Sequence, residues 1–198
     1  MSTARRAIGL LRKQGLATST QLERRGISRS QVGRLLARGE IERVGHGLYR
    51  LPDAPLTEHH SLAEASRLVP TGVVCLLTAL RFHDLTTQNP FEVWMAVETK
   101  AWRLKRDGLK LRLVYFSKAS FEAGIEEHKV EGVQIRVYSA AKTVADCFKF
   151  RNKIGVDVAV EALRDYMRLH RGGANALARF ARICRVSRVM QPYLDSIA

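Results

Sequence analysis

Apolar residues in the first twenty-five positions recur at helical spacing in two short segments. The first segment runs from Ala4 to Gln14, and Gly15 directly after it predicts the end of a helix. Thr18 and Gln21 then stand three residues apart, which is the spacing of a capping box, where the two side chains bond to each other's backbone N–H groups. A second short helix is therefore expected to open after Thr18 and to end near Arg25.

The capping pattern repeats immediately downstream. Ser28 and Gln31 again stand three residues apart and predict a third helix that runs to about Arg38, with Gly39 ending it. Two strand-like pieces follow, 40–44 and 48–51, and the glycines of the intervening tripeptide 45–47 supply the backbone freedom that tight hairpins require. Three helices and a glycine-tipped hairpin within about fifty residues are the pattern of a winged helix-turn-helix.

The rest of the chain alternates helical and strand-like patterns. The Pro-rich segment Pro52–Pro55 indicates a linker, so the prediction is a winged helix at 1–53 and a second domain at 56–198. Strands are expected at Phe91–Val97, Leu109–Phe116 and Val133–Tyr138, and helices near 57–69, 156–170, 174–185 and 189–197, the first of them capped by Thr57. A further helix is expected to be capped by Ser139 and to carry an apolar stripe at helical spacing, formed by Ala141, Val144, Ala145 and Phe148. The expected fold class is therefore α+β, with a mixed α/β second domain that ends in a helical tail.

The third predicted helix has two chemically different faces. Val32, Leu35 and Leu36 share one face at helical spacing, while Ser30, Arg34 and Arg38 fall on the opposite face with Gln31 beside them. A helix that enters the major groove needs this arrangement, because one face packs on the domain and the other meets base edges. Arginine pairs with guanine and glutamine with adenine, so this helix is the candidate for base recognition.

Neighbouring positions complete a candidate DNA-binding surface. Arg24 and Arg25 end the preceding helix and are expected to hold the phosphate backbone, while Arg43, His46 and Arg50 lie on the hairpin that would form the wing. The predicted DNA-contacting residues are Ser28, Arg29, Ser30, Gln31, Arg34, Arg38, Arg24, Arg25, Arg43, His46 and Arg50.

Charge supports a polyanionic partner. The chain carries 33 Lys and Arg against 19 Asp and Glu, a formal net charge of +14. Residues 1–50 hold eleven of the basic residues and three of the acidic ones, so this short segment alone has a net charge of +8. A dense positive field of this kind favours binding to nucleic acid, although a solvated basic surface has the same composition.

Catalytic and metal-binding patterns are weak. The three cysteines are far apart without C-x-x-C spacing and are expected to be small buried hydrophobes, and His59, His60 and His83 are expected to be solvated or capping residues. Glu98 and Lys100, with Asp84 upstream, could form a Mg²⁺-dependent nuclease site, but Lys100 begins a run of basic residues that is more typical of a surface loop. The prediction is a protein with no catalytic residues, metal or cofactor.

Several stretches of the sequence resemble the AbiEi-type antitoxin family. Residues 15–22, 26–35 and 39–51 resemble its N-terminal domain, and the hairpin from Gly45 to Tyr49 is the most specific part. Residues 138–150, followed by 155–159 and Ala162-Leu163, resemble its C-terminal domain. Together these stretches extend over most of the chain.

The resemblance implies an antitoxin of a type IV toxin–antitoxin system of bacterial abortive infection. It implies a repressor that autoregulates its own operon through double-stranded operator DNA, with inverted repeats as one form of the operator. It also implies a cognate nucleotidyltransferase-like toxin, which the second domain counteracts with or without direct contact. The absence of an 18-residue apolar run or a signal-peptide core adds the expectation of a cytoplasmic protein without membrane contact.

Two other function classes remain open on sequence grounds. A winged-helix regulator with a ligand-sensing second domain would carry an apolar pocket with a few convergent polar groups. A purely structural module would lack salt-sensitive, sequence-selective DNA binding.

Overall fold

The chain forms two compact units in the computed structural model, which describes residues 3–45, 47–54, 57–98 and 109–197. The first unit holds the described residues up to Thr71 together with residues 109–110 and 128–135. The second holds the described residues of 72–98, 111–127 and 136–197. The predicted domains 1–53 and 56–198 stay a prediction, and the observed division falls after Thr71 rather than within Pro52–Pro55.

The first unit begins with a winged helix-turn-helix, as the sequence predicts. Its elements in chain order are α1 (Thr3–Gln14), β1 (Leu16–Thr18), α2 (Ser19–Arg24), α3 (Arg29–Ala37), β2 (Glu42–Gly45) and β3 (Leu48–Arg50). The three strands form an antiparallel sheet in the order β1-β3-β2. Strand β1 was not predicted, because three residues are too few to produce a recognisable alternation of apolar and polar positions.

Both predicted capping boxes are present. Thr18 caps α2 through the backbone N–H of Gln21, and Ser28 caps α3 through the backbone N–H of Gln31. In each case the side-chain oxygen of the glutamine accepts a hydrogen bond from the backbone N–H of the cap residue. These bonds satisfy backbone donors that a helix start otherwise leaves without partners, so each helix begins at a fixed residue.

A single apolar core holds the winged helix together. Leu11 of α1, Leu22 of α2, Leu35 of α3 and Ile41 are almost fully buried in it, with Tyr49 of β3. Because Val32 and Leu35 anchor α3 to this core, the opposite face of α3 is left to solvent. The unit continues with α4 (His60–Leu68). The cap residue is His59 rather than the predicted Thr57, whose Oγ1 accepts from the N–H of His59 and donates to Glu131.

The second unit contains most of a five-stranded mixed sheet in the order β6-β5-β4-β8-β7. The remaining elements, in chain order, are β4 (Val73–Val74), α5 (Leu76–Phe82), β5 (Val93–Glu98), β6 (Leu111–Phe116), α6 (Lys118–Glu122), β7 (Ile125–Val130), β8 (Val133–Tyr138), α7 (Ala140–Lys149), α8 (Arg151–Ile154), α9 (Val156–Leu169), α10 (Ala174–Cys184) and α11 (Ser187–Asp195). The predicted α+β class is therefore confirmed, and β8 has the bounds that its apolar alternation predicts.

Helix α7 is the centre of the second unit. It packs against α5, α9 and α10, and all its residues from Ala140 to Phe148 are buried. Ser139 caps it through the N–H of Lys142, as predicted. Lys142 and Asp146, one turn apart on this helix, are both fully buried. Among the described residues, no helix is long and apolar enough to cross a membrane.

Candidate nucleic-acid interface

The exposed face of α3 carries the residues that the sequence placed there. Val32 and Leu35 are buried, whereas Ser30, Arg34 and Arg38 are exposed. The guanidinium of Arg34 has no hydrogen bond or ion pair with a described residue, so it is available to a ligand. Arg38 lies 3.7 Å from a carboxylate oxygen of Glu40, a loose pair that is 70% exposed on the arginine side.

Both the oxygen and the nitrogen of the Gln31 side-chain amide form hydrogen bonds within the protein. Its Oε1 accepts a hydrogen bond from the backbone N–H of Ser28 at 2.8 Å, and its Nε2 donates to Oγ1 of Thr3 at 3.2 Å. The first bond closes the capping box and the second ties the start of α3 to α1. A base contact by Gln31 would break these bonds, so the structure gives this residue a positioning role that competes with the predicted one.

The other residues at the start of α3 differ in how freely they present their polar groups. The Oγ atoms of Ser28 and Ser30 lie 3.0 Å apart, and both residues are exposed. Arg29 donates through Nε to Glu23 at 2.8 Å, and this hydrogen bond and the carboxylate charge raise the pKa of Arg29. On α2 and directly after it, Arg24 and Arg25 are exposed, and their side chains have no hydrogen bond or ion pair with a described residue.

The hairpin divides into an exposed and an internal part. Arg43 is exposed and donates through Nε to the carbonyl of Gly45 at 3.1 Å. Arg50 lies opposite Glu42 in the register of β2 and β3 and forms an ion pair with it at 2.8 Å, with only 14% of its side chain exposed. Because this cross-strand pair turns Arg50 inward, its predicted contact with a DNA groove conflicts with its position. His46, also predicted to contact DNA, lies outside the described residues.

A second basic stretch was missed by the sequence prediction. Residues 166–194 contain no Asp or Glu but include six arginines, all exposed: Arg168, Arg171, Arg179, Arg182, Arg185 and Arg188. Arg168 pairs with Asp165 just outside the stretch, and Arg179 lies over the ring of Phe180 at 4.6 Å. The net charge of 51–198 as a whole does not indicate this cluster. The net charge counted over a short window along α10 and α11 would have indicated it.

Residues of the alternative nuclease site are not brought together in the described part of the chain. Glu98 is exposed at the end of β5, Asp84 forms an ion pair with Arg81 at 3.2 Å, and Lys100 lies outside the described residues. His83 Nε2 lies 2.7 Å from the carbonyl of Tyr138. Within the described ranges no three His, Cys, Asp or Glu residues form a group that could hold a metal ion.

Comparison with known proteins supports a regulatory role for the first unit. Residues 5–52, from α1 to just beyond β3, match the sequence model of a family described as "Transcriptional regulator, AbiEi antitoxin". The resemblance stated from the sequence is therefore confirmed over this segment, and the family is described as a transcriptional regulator. No curated protein sequence matches the chain.

Proposed function

We propose that this chain is a sequence-specific transcriptional repressor that binds operator DNA through α3 and acts as the antitoxin of a type IV toxin–antitoxin system. The observation that carries the DNA-binding part is the exposed face of α3, where Ser30 and Arg34 project from a helix that is capped at its start and anchored by Val32 and Leu35. The family matched by residues 5–52 supports both the regulatory and the antitoxin parts. Autoregulation and a nucleotidyltransferase-like toxin are the finer parts of the proposal, and they rest on the wider resemblance.

The contacts of each residue suggest a division of tasks at the DNA. Arg34 contacts base edges from the middle of α3, where it has no competing partner. Arg24 and Arg25 neutralise phosphates beside the helix, because a guanidinium at the flank of a recognition helix meets the backbone rather than bases. Ser28 and Gln31 fix the start of α3, and Arg50 and Glu42 fix the hairpin.

Replacing Arg34 with alanine is expected to weaken operator binding by about 1–3 kcal/mol and to relax selectivity at one base pair. The expected loss is that of a bidentate guanine contact, and the exposed position predicts no loss of folding stability. Fluorescence anisotropy with the DNA upstream of the gene and a panel of single base-pair variants measures both effects.

Arg164→Ala is the matched control for this substitution, because Arg164 is an exposed helical arginine on α9 and its removal changes the net charge equally. The control is expected to retain the selectivity of the parent protein. If Arg34→Ala and Arg164→Ala had the same affinity for every operator variant, Arg34 would not contact bases.

The acid-free stretch on α10 and α11 adds phosphate contacts to this proposal. Arg179, Arg182, Arg185 and Arg188 recur every three residues and are all exposed. Uncompensated positive charge of this density repels itself in the isolated protein, and a polyanion relieves that repulsion. We assign these four arginines to the DNA backbone, where they would raise affinity without selecting sequence.

Changing these four arginines together to glutamine is expected to flatten the salt dependence of binding while preserving the preferred sequence. Each arginine that contacts a phosphate contributes about 0.9 to the slope of log affinity against log salt. A charge-matched control replaces Lys118, Lys129, Lys153 and Arg164, all exposed, with glutamine. Equal slopes in the two variants would assign the stretch to a partner other than DNA.

A further inference from the structure

The first unit contains a cavity of about 420 Å³ beside the sheet of the winged helix. Its apolar wall is formed by Leu11 of α1, Leu16 of β1 and Leu51, which follows β3. Small-molecule sites in proteins have volumes of roughly 300–1,000 Å³ and combine apolar walls with a few polar groups. The volume and the wall of this cavity meet that description.

Arg50 contributes a hydrogen-bond donor that has no partner. Its Nε donates to Oε2 of Glu42 at 2.9 Å and its Nη2 lies 2.8 Å from the same oxygen, whereas its Nη1 is buried and has no hydrogen-bond partner among the described residues. A buried donor without an acceptor costs free energy, and an acceptor brought by a ligand would remove that cost. A carboxylate is the acceptor that a guanidinium binds most strongly.

The two carboxylates that line the cavity are not equivalent. Glu131 is occupied, since its Oε1 accepts from the N–H and Oγ1 of Thr57 and its Oε2 lies 2.6 Å from Nδ1 of His60. Asp53 is exposed and has no hydrogen bond or ion pair with a described residue. The charged groups of the lining that a ligand can pair with are therefore the guanidiniums of Arg12 and Arg50 and the carboxylate of Asp53.

We propose that this cavity binds a small hydrophobic amino acid, or an equally small zwitterion with an apolar side chain. The carboxylate of the bound amino acid accepts a hydrogen bond from Nη1 of Arg50, and its ammonium group pairs with Asp53. The side chain of the amino acid lies against Leu11, Leu16 and Leu51. A zwitterion fits because the lining carries two cationic side chains, Arg12 and Arg50, and two carboxylates, Asp53 and Glu131.

Binding at this position would also regulate the proposed DNA-binding function, on which this part of the inference rests. Arg50 ends β3, the central strand of the sheet, and its register partners are Leu16 on one side and Glu42 on the other. A carboxylate that shares the Arg50 guanidinium with Glu42 alters the pair that holds β2 to β3. The hairpin of the wing is therefore the element through which the ligand acts.

The site is tested by titrating the full chain with L-leucine and with L-phenylalanine. Isothermal titration calorimetry and ¹H–¹⁵N spectra measure the binding. We expect at least one of them to bind with a dissociation constant of about 1 mM or below. Two fragments of leucine, 4-methylpentanoate without the ammonium and 3-methylbutylamine without the carboxylate, are each expected to bind about tenfold more weakly. Failure of both amino acids to bind overturns the proposal, and so does equal binding of leucine and either fragment.

Asp53→Asn is expected to weaken leucine binding about tenfold and to leave 4-methylpentanoate binding unchanged, because only the ammonium loses its partner. Asp84→Asn removes an exposed carboxylate elsewhere and should change neither. Operator affinity is then measured with and without saturating ligand. If the ligand binds but operator affinity stays the same, the regulatory part is wrong and the site stands; if DNA binding is absent altogether, the proposed function fails independently of the ligand result.

Discussion

Replacing either Lys142 or Asp146 with alanine lowers the free energy of unfolding by about 3–5 kcal/mol, because each substitution leaves the other charge buried without its partner. Nζ of Lys142 lies 2.5 Å from Oδ2 of Asp146, and neither side chain has any exposed surface. Cys184 donates through Sγ to Oδ1 of Asp146 at 3.2 Å, and Lys142 Nζ lies 4.1 Å from the ring centroid of Tyr138. Because both side chains are fully buried, a single remaining charge would have no contact with solvent.

The double variant Lys142→Met, Asp146→Leu separates the role of charge from the role of packing. Apolar residues of similar volume remove both charges at once, and such replacements of buried ion pairs are often neutral or stabilising by about 1–4 kcal/mol. We therefore expect the double variant to unfold in urea at a concentration close to that of the parent or above it. A double variant as unstable as either single alanine variant would mean that the pair is needed for more than charge balance.

The pH dependence of Lys142→Met gives an independent test. Burial raises the pKa of Asp146, and the charge of Lys142 opposes this effect. Without Lys142 the folded-state pKa stands further above the unfolded value of about 3.9, so the folded state binds the proton more tightly than the unfolded state does. The stability that this protonation of Asp146 contributes is present below the unfolded-state pKa and is lost as pH rises through the folded-state pKa. The melting temperature of the variant should therefore lie closer to that of the parent at pH 5 than at pH 8.

Local patterns predicted the parts of the fold that depend on nearby residues. The capping boxes at Thr18 and Ser28, the exposed position of Arg34 and the bounds of β8 each follow from spacings of a few positions. Strand β1 was missed, because it has only three residues and its partner β3 lies thirty or more positions away.

At the candidate site, the structure differs from the sequence prediction where a side chain bonds to a residue that is distant in the sequence. Gln31 donates to Thr3, which lies 28 positions earlier in the chain, and Arg50 pairs with Glu42 through the register of the hairpin. Neither partner is indicated by the helical or strand pattern around the residue itself. Lys142 was also unexpected as a core residue, since the stripe that predicts α7 leaves it off the apolar face; only packing against α5, α9 and α10 buries the whole circumference of α7.

The proposed separation of DNA binding from antitoxin action is best tested in the full chain. Cutting at Pro52–Pro55 would remove α4 and residues 128–135, which belong to the same compact unit as the winged helix. Nη2 of Arg67 on α4 donates to the carbonyl of Gln14 at 3.1 Å. Gly132 lies so close to the backbone of Gln14 and Gly15 that a Cβ atom at this position would clash with it. An inactive fragment of residues 1–54 would therefore report lost packing as well as lost function.

The double variant Arg24→Ala, Arg34→Ala avoids this difficulty, because both side chains are exposed and have no hydrogen bond or ion pair with a described residue. We expect it to keep the circular dichroism spectrum and melting temperature of the parent and to lose repression of a reporter driven by its own promoter. We expect cells that co-express the proposed cognate toxin to survive with this variant as they do with the parent. These outcomes follow if α3 serves only the operator and the second unit carries the antitoxin action.

A charge-matched control, Lys153→Ala with Arg164→Ala, removes two exposed positive charges from the second unit and should retain repression. A folded Arg24→Ala, Arg34→Ala protein that repressed normally would remove α3 from the operator interface. A folded double variant that lost both repression and protection would mean that antitoxin action requires DNA binding. In that case the proposed assignment of the two activities to two separate units would be wrong, because the toxin would be controlled through the operon rather than by the second unit.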